Sequence, residues 1–281
     1  MSIQPRLNLA EALLATKDEN PSHADALSVL NRSYGLRDQQ AAEAEAHHKQ
    51  FFSLINLRAA NKVYQASGGQ GQFIKAIRKL ADDGGTDDQK VLLIAVLAHS
   101  YATQLGLDPA KFSVAFFKGN PALLGLQSEG KVAVNIDSAA WRNKFAQVVN
   151  TIAHETYHAY DEQRATWYAE GKLKEGDAGY LLGKAAYINS QSYDSSKGDA
   201  ASHRKYEQGH LEVGANLVGN RFGHTAETAQ PKVVAGILWT AGVREFTLPR
   251  GAANDDDPNQ PRPPGPLAHR QISPPEYRFA T

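Results

Sequence analysis

His154-Glu155-Thr156-Tyr157-His158 sets two imidazoles four residues apart, with a carboxylate between them. In a helix, residues i and i+4 stand one above the other on the same face. His154 and His158 can therefore turn two ring nitrogens toward one tetrahedral Zn²⁺. Glu155 falls roughly 100° round the helix, beside such an ion rather than on it. From there a carboxylate can take a proton from a metal-activated water and return it to a leaving amine. A purely structural zinc takes four protein ligands and has no use for a general base, so the spacing points to hydrolysis.

The motif needs an element to carry it. Over Phe145–Tyr160, the residues Phe145, Val148, Val149, Ile152, Ala153 and Tyr160 fall on one side of a helical wheel, and Gln147, Asn150, Thr151, His154, His158 and Asp161 on the other. The spacing thus predicts an amphipathic helix whose histidines look into a polar cleft. A hydrolytic zinc also takes a third protein ligand and keeps one position open. A second helical stretch, Tyr206–Asn216, offers Glu207, His210 and Glu212, and Asp161 and His224 are further candidates. His210 and Glu212 lie nearly 160° apart round a helix, so the two cannot easily bind the same ion. Tyr206, His210, His224 and His203 are candidate donors to a tetrahedral oxyanion.

On these residues the chain resembles the gluzincin metallopeptidases. There the H-E-x-x-H helix is followed, some tens of residues on, by a helix with a ligand Glu and a polar residue four positions later. The resemblance implies Glu212 as third ligand, with His210 its rival, and Asn216 as the group that steadies a ligand imidazole. Asp is usual at that place, so Asn216 would act only as a neutral acceptor. The extended metzincin pattern is absent, because Asp161 and Arg164 stand where its glycine and third histidine would be. Asp161, one turn past His158, is expected to support that histidine or to line the cleft. Lys131–Asp137 alternates and is β-rich, and Phe112–Phe117 reads as a neighbouring strand. The resemblance further implies that the strand preceding the active helix is an open sheet edge, so that Val132 and Val134 would lie against an extended peptide substrate.

The wording around the motif is also similar to zinc-peptidase toxin domains at the C-terminal ends of bacterial polymorphic toxins and secretion effectors. That likeness implies a protein or peptide substrate, a cognate immunity protein as partner, and cytoplasmic synthesis followed by delivery through a secretion system. Two alternatives stay open: a housekeeping or regulatory zinc peptidase, and a non-enzymatic helical binding module with a structural zinc.

With 42% apolar residues and a formal net charge of zero, the composition of the 281-residue chain is that of a globular protein with a buried core. No basic excess points to nucleic acid, no apolar run is long enough to insert in a membrane, and the first residues lack an apolar export signal. The absence of cysteine excludes disulfides and thiolate zinc sites. The fold expected is α+β, mostly α-helical: a helical N-terminal region over 1–110, a zincin-like catalytic domain over 111–250, and a Pro-rich extended or flexible tail over 251–281. The catalytic core would comprise a small sheet with an edge strand, the active-site helix and the third-ligand helix. Helices are predicted at Leu9–Thr16, Ser22–Tyr34, Arg37–Gln65, Gln72–Ala81, Thr86–Leu105 and Lys232–Thr240, with a partly helical insertion over Ala165–Ala201. Adjacent His47 and His48, with no partner motif, read as solvated.

Overall fold

A computed structural model of the chain describes residues 21–54, 80, 86–191, 206–229, 231–240 and 270–272. The helices expected at Leu9–Thr16 and, apart from Leu80, at Gln72–Ala81 lie outside the described residues. In chain order the elements are α1 (Pro21–Tyr34), α2 (Leu36–Leu54), α3 (Asp87–Gln104), β1 (Ser113–Phe117), β2 (Gly125–Ser128), β3 (Lys131–Asn135), α4 (Ala139–Asn143), α5 (Phe145–Ala169), α6 (Tyr180–Gln191), α7 (His210–Ala229), α8 (Lys232–Thr240) and β4 (Arg270–Ile272). The protein is thus α+β and mostly helical, as the sequence suggests. None of the described helices is long and apolar enough to cross a membrane.

Local chemistry sets the ends of these elements. Thr86 caps α3: its hydroxyl accepts from the Gln89 N–H, and the Gln89 side chain accepts from the Thr86 N–H. Ser138 caps α4 in the same manner, accepting from the Trp141 N–H. β2 and β3 form a hairpin that pairs Ser128 with Lys131 and leaves only Glu129 and Gly130 as the loop. Both loop residues have positive φ, 51° and 74°, as the twist of a two-residue turn requires. A side chain at Gly130 would also come within 2.7 Å of the Lys111 carbonyl.

The sheet has the order β2-β3-β1-β4, with β3 parallel to β1 and antiparallel to β2. That order corrects one expectation. β3 is bonded on both sides, so it is not an edge strand, and Val132 and Val134 are buried in the core at 0% and 2% exposure. Their alternation reflects packing against the interior rather than contact with a substrate. Among the described residues the edges are β2 and β4. The latter belongs to the Pro-rich tail, whose Arg270–Ile272 pairs antiparallel with β1 as an extended arm.

Clustering of Cα positions gives two compact units, and they do not divide at residue 110. One comprises Met1–His47 with Tyr157–Val218, the other His48–Thr156 with Gly219–Thr281, so the boundaries fall inside helices α2, α5 and α7. In the first unit Ala26 and Leu30 of α1 and Leu36 of α2 form a core cluster with Leu182, Ala185 and Ile188 of α6. In the second, Val114 and Phe116 of β1, Val132 and Val134 of β3, and Val148, Val149 and Ile152 of α5 are all buried.

His47 and His48 are half-buried rather than solvated. His47 sits edge-on to the Tyr160 ring at 5.4 Å, and His48 hydrogen-bonds the Thr225 hydroxyl at 2.8 Å. Burial lowers the pKa of His47, with Glu43 opposing the shift and Arg164 adding to it.

Candidate metal centre

α5 begins at Phe145, as its periodicity predicts, and runs on to Ala169. Its apolar stripe is buried, from Phe145 and Val148 through Val149, Ile152 and Ala153. The opposite stripe carries His154 and His158 one turn apart. α7 starts at His210, placing Glu212 in its first turn. A ligand atom from each of His154, His158 and Glu212 lies within 4.8 Å of the other two. Glu212 thus joins the two histidines.

His158 Nε2 and Glu212 Oε1 stand 3.2 Å apart, with side chains only 10% and 4% exposed. Two ligands on a tetrahedral zinc, each about 2.0–2.1 Å from it, are about 3.3 Å apart. The spacing and the two-nitrogen, one-oxygen donor set therefore fit an ion shared between the residues. Among the described residues no fourth His, Asp or Glu joins the group.

The other sequence candidates separate clearly. His210 is 3% exposed and stands outside the triad, its pKa driven down to about 3 by burial first and then by the charge of Arg164. Glu207 and His224 are exposed and also outside it, and His203 lies outside the described residues. Asn216 is exposed on α7 and, among the described residues, bonds neither imidazole, so the steadying role implied for it has no counterpart in the structure.

Asp161 is fully buried instead of lining a polar cleft. Arg164 explains how the helix tolerates this. One guanidinium nitrogen donates to Asp161 Oδ1, while another donates to both oxygens of Glu43 at 2.7 Å. Glu43 Oε2 also accepts from the Tyr157 hydroxyl at 2.6 Å. The guanidinium lies 4.5 Å from the Tyr160 ring centre and 5.9 Å from that of Tyr157. Burial raises the Asp161 carboxyl pKa, opposed by Arg164 and, more weakly, by His158. That last influence places the carboxylate within electrostatic reach of His158. Arg164 stays charged: burial disfavours the cation, but Asp161, Tyr157 and Glu43 outweigh it.

Glu155 meets the sheet at β2, a strand the sequence reading passed over. A Cβ built on Gly125 would fall 2.8 Å from Thr151 Cγ2, 3.1 Å from the Ala133 carbonyl and 3.2 Å from Glu155 Cγ. Only bare backbone fits there, so the edge strand runs directly against the stem of the candidate base. Gly125 and Gln127 are half-buried and Leu126 and Ser128 exposed. Asn135, itself wholly buried, holds the approach to this strand by donating from Nδ2 to the carbonyls of Asn120 and Leu123, each at 2.8 Å. The Glu129-Gly130 pair before Lys131 was the available signal, since it marks a hairpin and hence a first arm over Gly125–Ser128.

Set beside protein-family models, curated proteins and solved structures, the chain matches none of them.

Proposed function

We propose that the chain is a zinc-dependent metallopeptidase, with His154, His158 and Glu212 as ligands and Glu155 as general base. The observation that carries this reading is the convergence of those three donors, with Glu155 next to His154 on the same helix. A zinc bound there would polarise a substrate carbonyl and acidify a water. Glu155 accepts the proton of the attacking water and delivers it to the departing nitrogen. Asp161 and Arg164, on the same helix as His158, neutralise one another in a buried ion pair.

A peptide substrate is favoured by β2. As an edge strand among the described residues, it pairs with β3 on one side only, and it lies against Glu155. An extended chain adding to that edge would carry its amides past the base. Leu126, 42% exposed, and Leu123, 41% exposed, offer apolar contacts beside it. The substrate strand is therefore β2, in place of Val132 and Val134 on β3.

Purified protein loaded with one equivalent of Zn²⁺ should cut a denatured protein such as casein, and Glu155→Ala should abolish cutting while binding the same zinc. Equal cleavage by wild type and Glu155→Ala would reject the assignment of the base.

A further inference from the structure

On the side of α5 that carries His154, a cleft of about 700 Å³ opens toward the start of the helix, bordered by the later turns of α7. Gln147, Asn150 and Asn220 line it, and Gly223 forms part of its floor. Asn150 lies one turn before His154 and so points the same way. The two helices meet here through glycine. A Cβ on Gly219 would stand 2.8 Å from Asn150 Oδ1 and 3.1 Å from His154 Cβ, and one on Gly223 would stand 3.0 Å from Asn150 Cβ. Asn150 thus ties the cleft to the turn of α5 that carries His154, and the cleft's volume lies within the size range of small-ligand pockets.

Its chemistry is specific. Asn150 Nδ2 donates to Asn220 Oδ1 at 3.0 Å. That bond leaves Asn150 Oδ1 as an acceptor and Asn220 Nδ2 as a donor, and neither makes another hydrogen bond among the described residues. Exchanging the oxygen and nitrogen of both side chains leaves the same complement, one donor and one acceptor. A carboxamide carries both complements in one group, an N–H for the acceptor and a C=O for the donor. A carboxylate has no donor to give and an ammonium no acceptor, so each would leave half of the pair unmet. Lys144 and Glu227 border the cleft with opposite charges and favour neither an acidic nor a basic group.

We infer that this cleft is a substrate subsite that reads a carboxamide, the side chain of Asn or Gln in a peptide, through the paired side chains of Asn150 and Asn220. The inference rests on the hydrolase reading above and adds to it the residue that the enzyme selects near the cleaved bond.

A peptide library digested by the zinc-loaded protein and read by mass spectrometry tests it. Asn or Gln should be enriched about tenfold over Asp and Leu at one fixed position from the cut, the ratio set by roughly 1.4 kcal/mol of hydrogen bonding. Asn220→Ala, at an exposed position, should erase that enrichment while zinc content stays at one per chain. Cleavage without enrichment, or enrichment that survives Asn220→Ala, overturns the subsite and leaves the hydrolase reading standing. Should no peptide be cut, the hydrolase reading falls, and binding decides the subsite. The side-chain amide resonances of Asn150 and Asn220 in zinc-loaded Glu155→Ala protein should shift with the pentapeptide Ala-Ala-Asn-Ala-Ala and not with its Leu counterpart. No shift, or equal shifts with both peptides, overturns the inference.

Discussion

Gly125 provides a sensitive test of how the sheet positions the general base. Replacing it with Ala introduces a methyl group 2.8 Å from Thr151 Cγ2, 3.1 Å from the Ala133 carbonyl and 3.2 Å from Glu155 Cγ. Comfortable carbon–carbon contact begins at about 3.5 Å, so the Thr151 methyl alone asks for a movement of roughly 0.7 Å. The Ala133 carbonyl is backbone in β3 and cannot yield, so the strain falls on α5 and on the Glu155 stem. Overpacking of this kind costs about 1–3 kcal/mol of stability. A misplacement approaching 1 Å at a catalytic group costs up to about a hundredfold in rate. Gly125→Ala should therefore lower kcat/KM by roughly ten- to a hundredfold while the protein still binds one zinc. Thr151→Ser removes the clashing methyl and keeps the hydroxyl that bonds the Gln147 carbonyl at 2.9 Å. Combined with Gly125→Ala it should restore a good part of both activity and stability, so the two changes should couple rather than add. Peptidase kinetics, urea denaturation and metal analysis on the four proteins of the cycle read this directly. Wild-type kinetics and stability in Gly125→Ala, or additive effects of the two substitutions, would refute the close approach of β2 to Glu155.

Other expectations follow from the buried charges and from the proposed chemistry. Asp161→Ala leaves Arg164 with Glu43 alone and should destabilise the protein by about 3 kcal/mol, as urea denaturation in chelator would measure; a loss below about 1 kcal/mol would contradict the buried pair. His210 has its folded pKa depressed to about 3, so its contribution to stability is complete above its unfolded pKa, near 6.5, and is lost as pH falls through that value toward 3. Between pH 7 and pH 5 this loss amounts to about 2 kcal/mol, and His47 and His99, also lowered chiefly by burial, act in the same direction. His210→Leu should reduce the pH dependence by that amount, and identical slopes in chelator would show that His210 titrates normally. Expression in bacteria separates the biological alternatives: an effector should arrest growth in a Glu155-dependent manner, whereas harmless wild-type protein would favour a housekeeping or regulatory peptidase.

What the sequence reveals depends on how local each feature is. His154, Glu155 and His158 share one helix, so their geometry follows from spacing alone, and the periodicity around them marks where α5 begins. Thr86 and Gln89 likewise announce the start of α3 within four residues. Glu212 lies on another helix, and only the resemblance singled it out from His210; both are buried, and it is the convergence of Glu212, not His210, with the two histidines that separates them. The error at Val132 and Val134 has a plain physical origin. Alternation shows that one face of a strand is buried, but which strands flank it depends on pairings such as β1 with β3, which the strand's own residues do not encode. β2 has too little apolar content to register as a strand, and only its turn betrays it. Glu43, bonded to Arg164 and Tyr157 from a distant helix, carries no local signal at all. Asp161 looked cleft-facing because it shares a stripe with the histidines, yet Arg164 allows that part of the stripe to be buried.

The most direct test of the central claim is the zinc content of wild type, Glu155→Ala, His158→Ala and Glu212→Ala, measured by plasma mass spectrometry after reconstitution and removal of loosely bound metal. The site described here predicts one zinc per chain in wild type and in Glu155→Ala, and its loss from His158→Ala and Glu212→Ala. Wild type without zinc, or Glu212→Ala that retains a full equivalent, would contradict it.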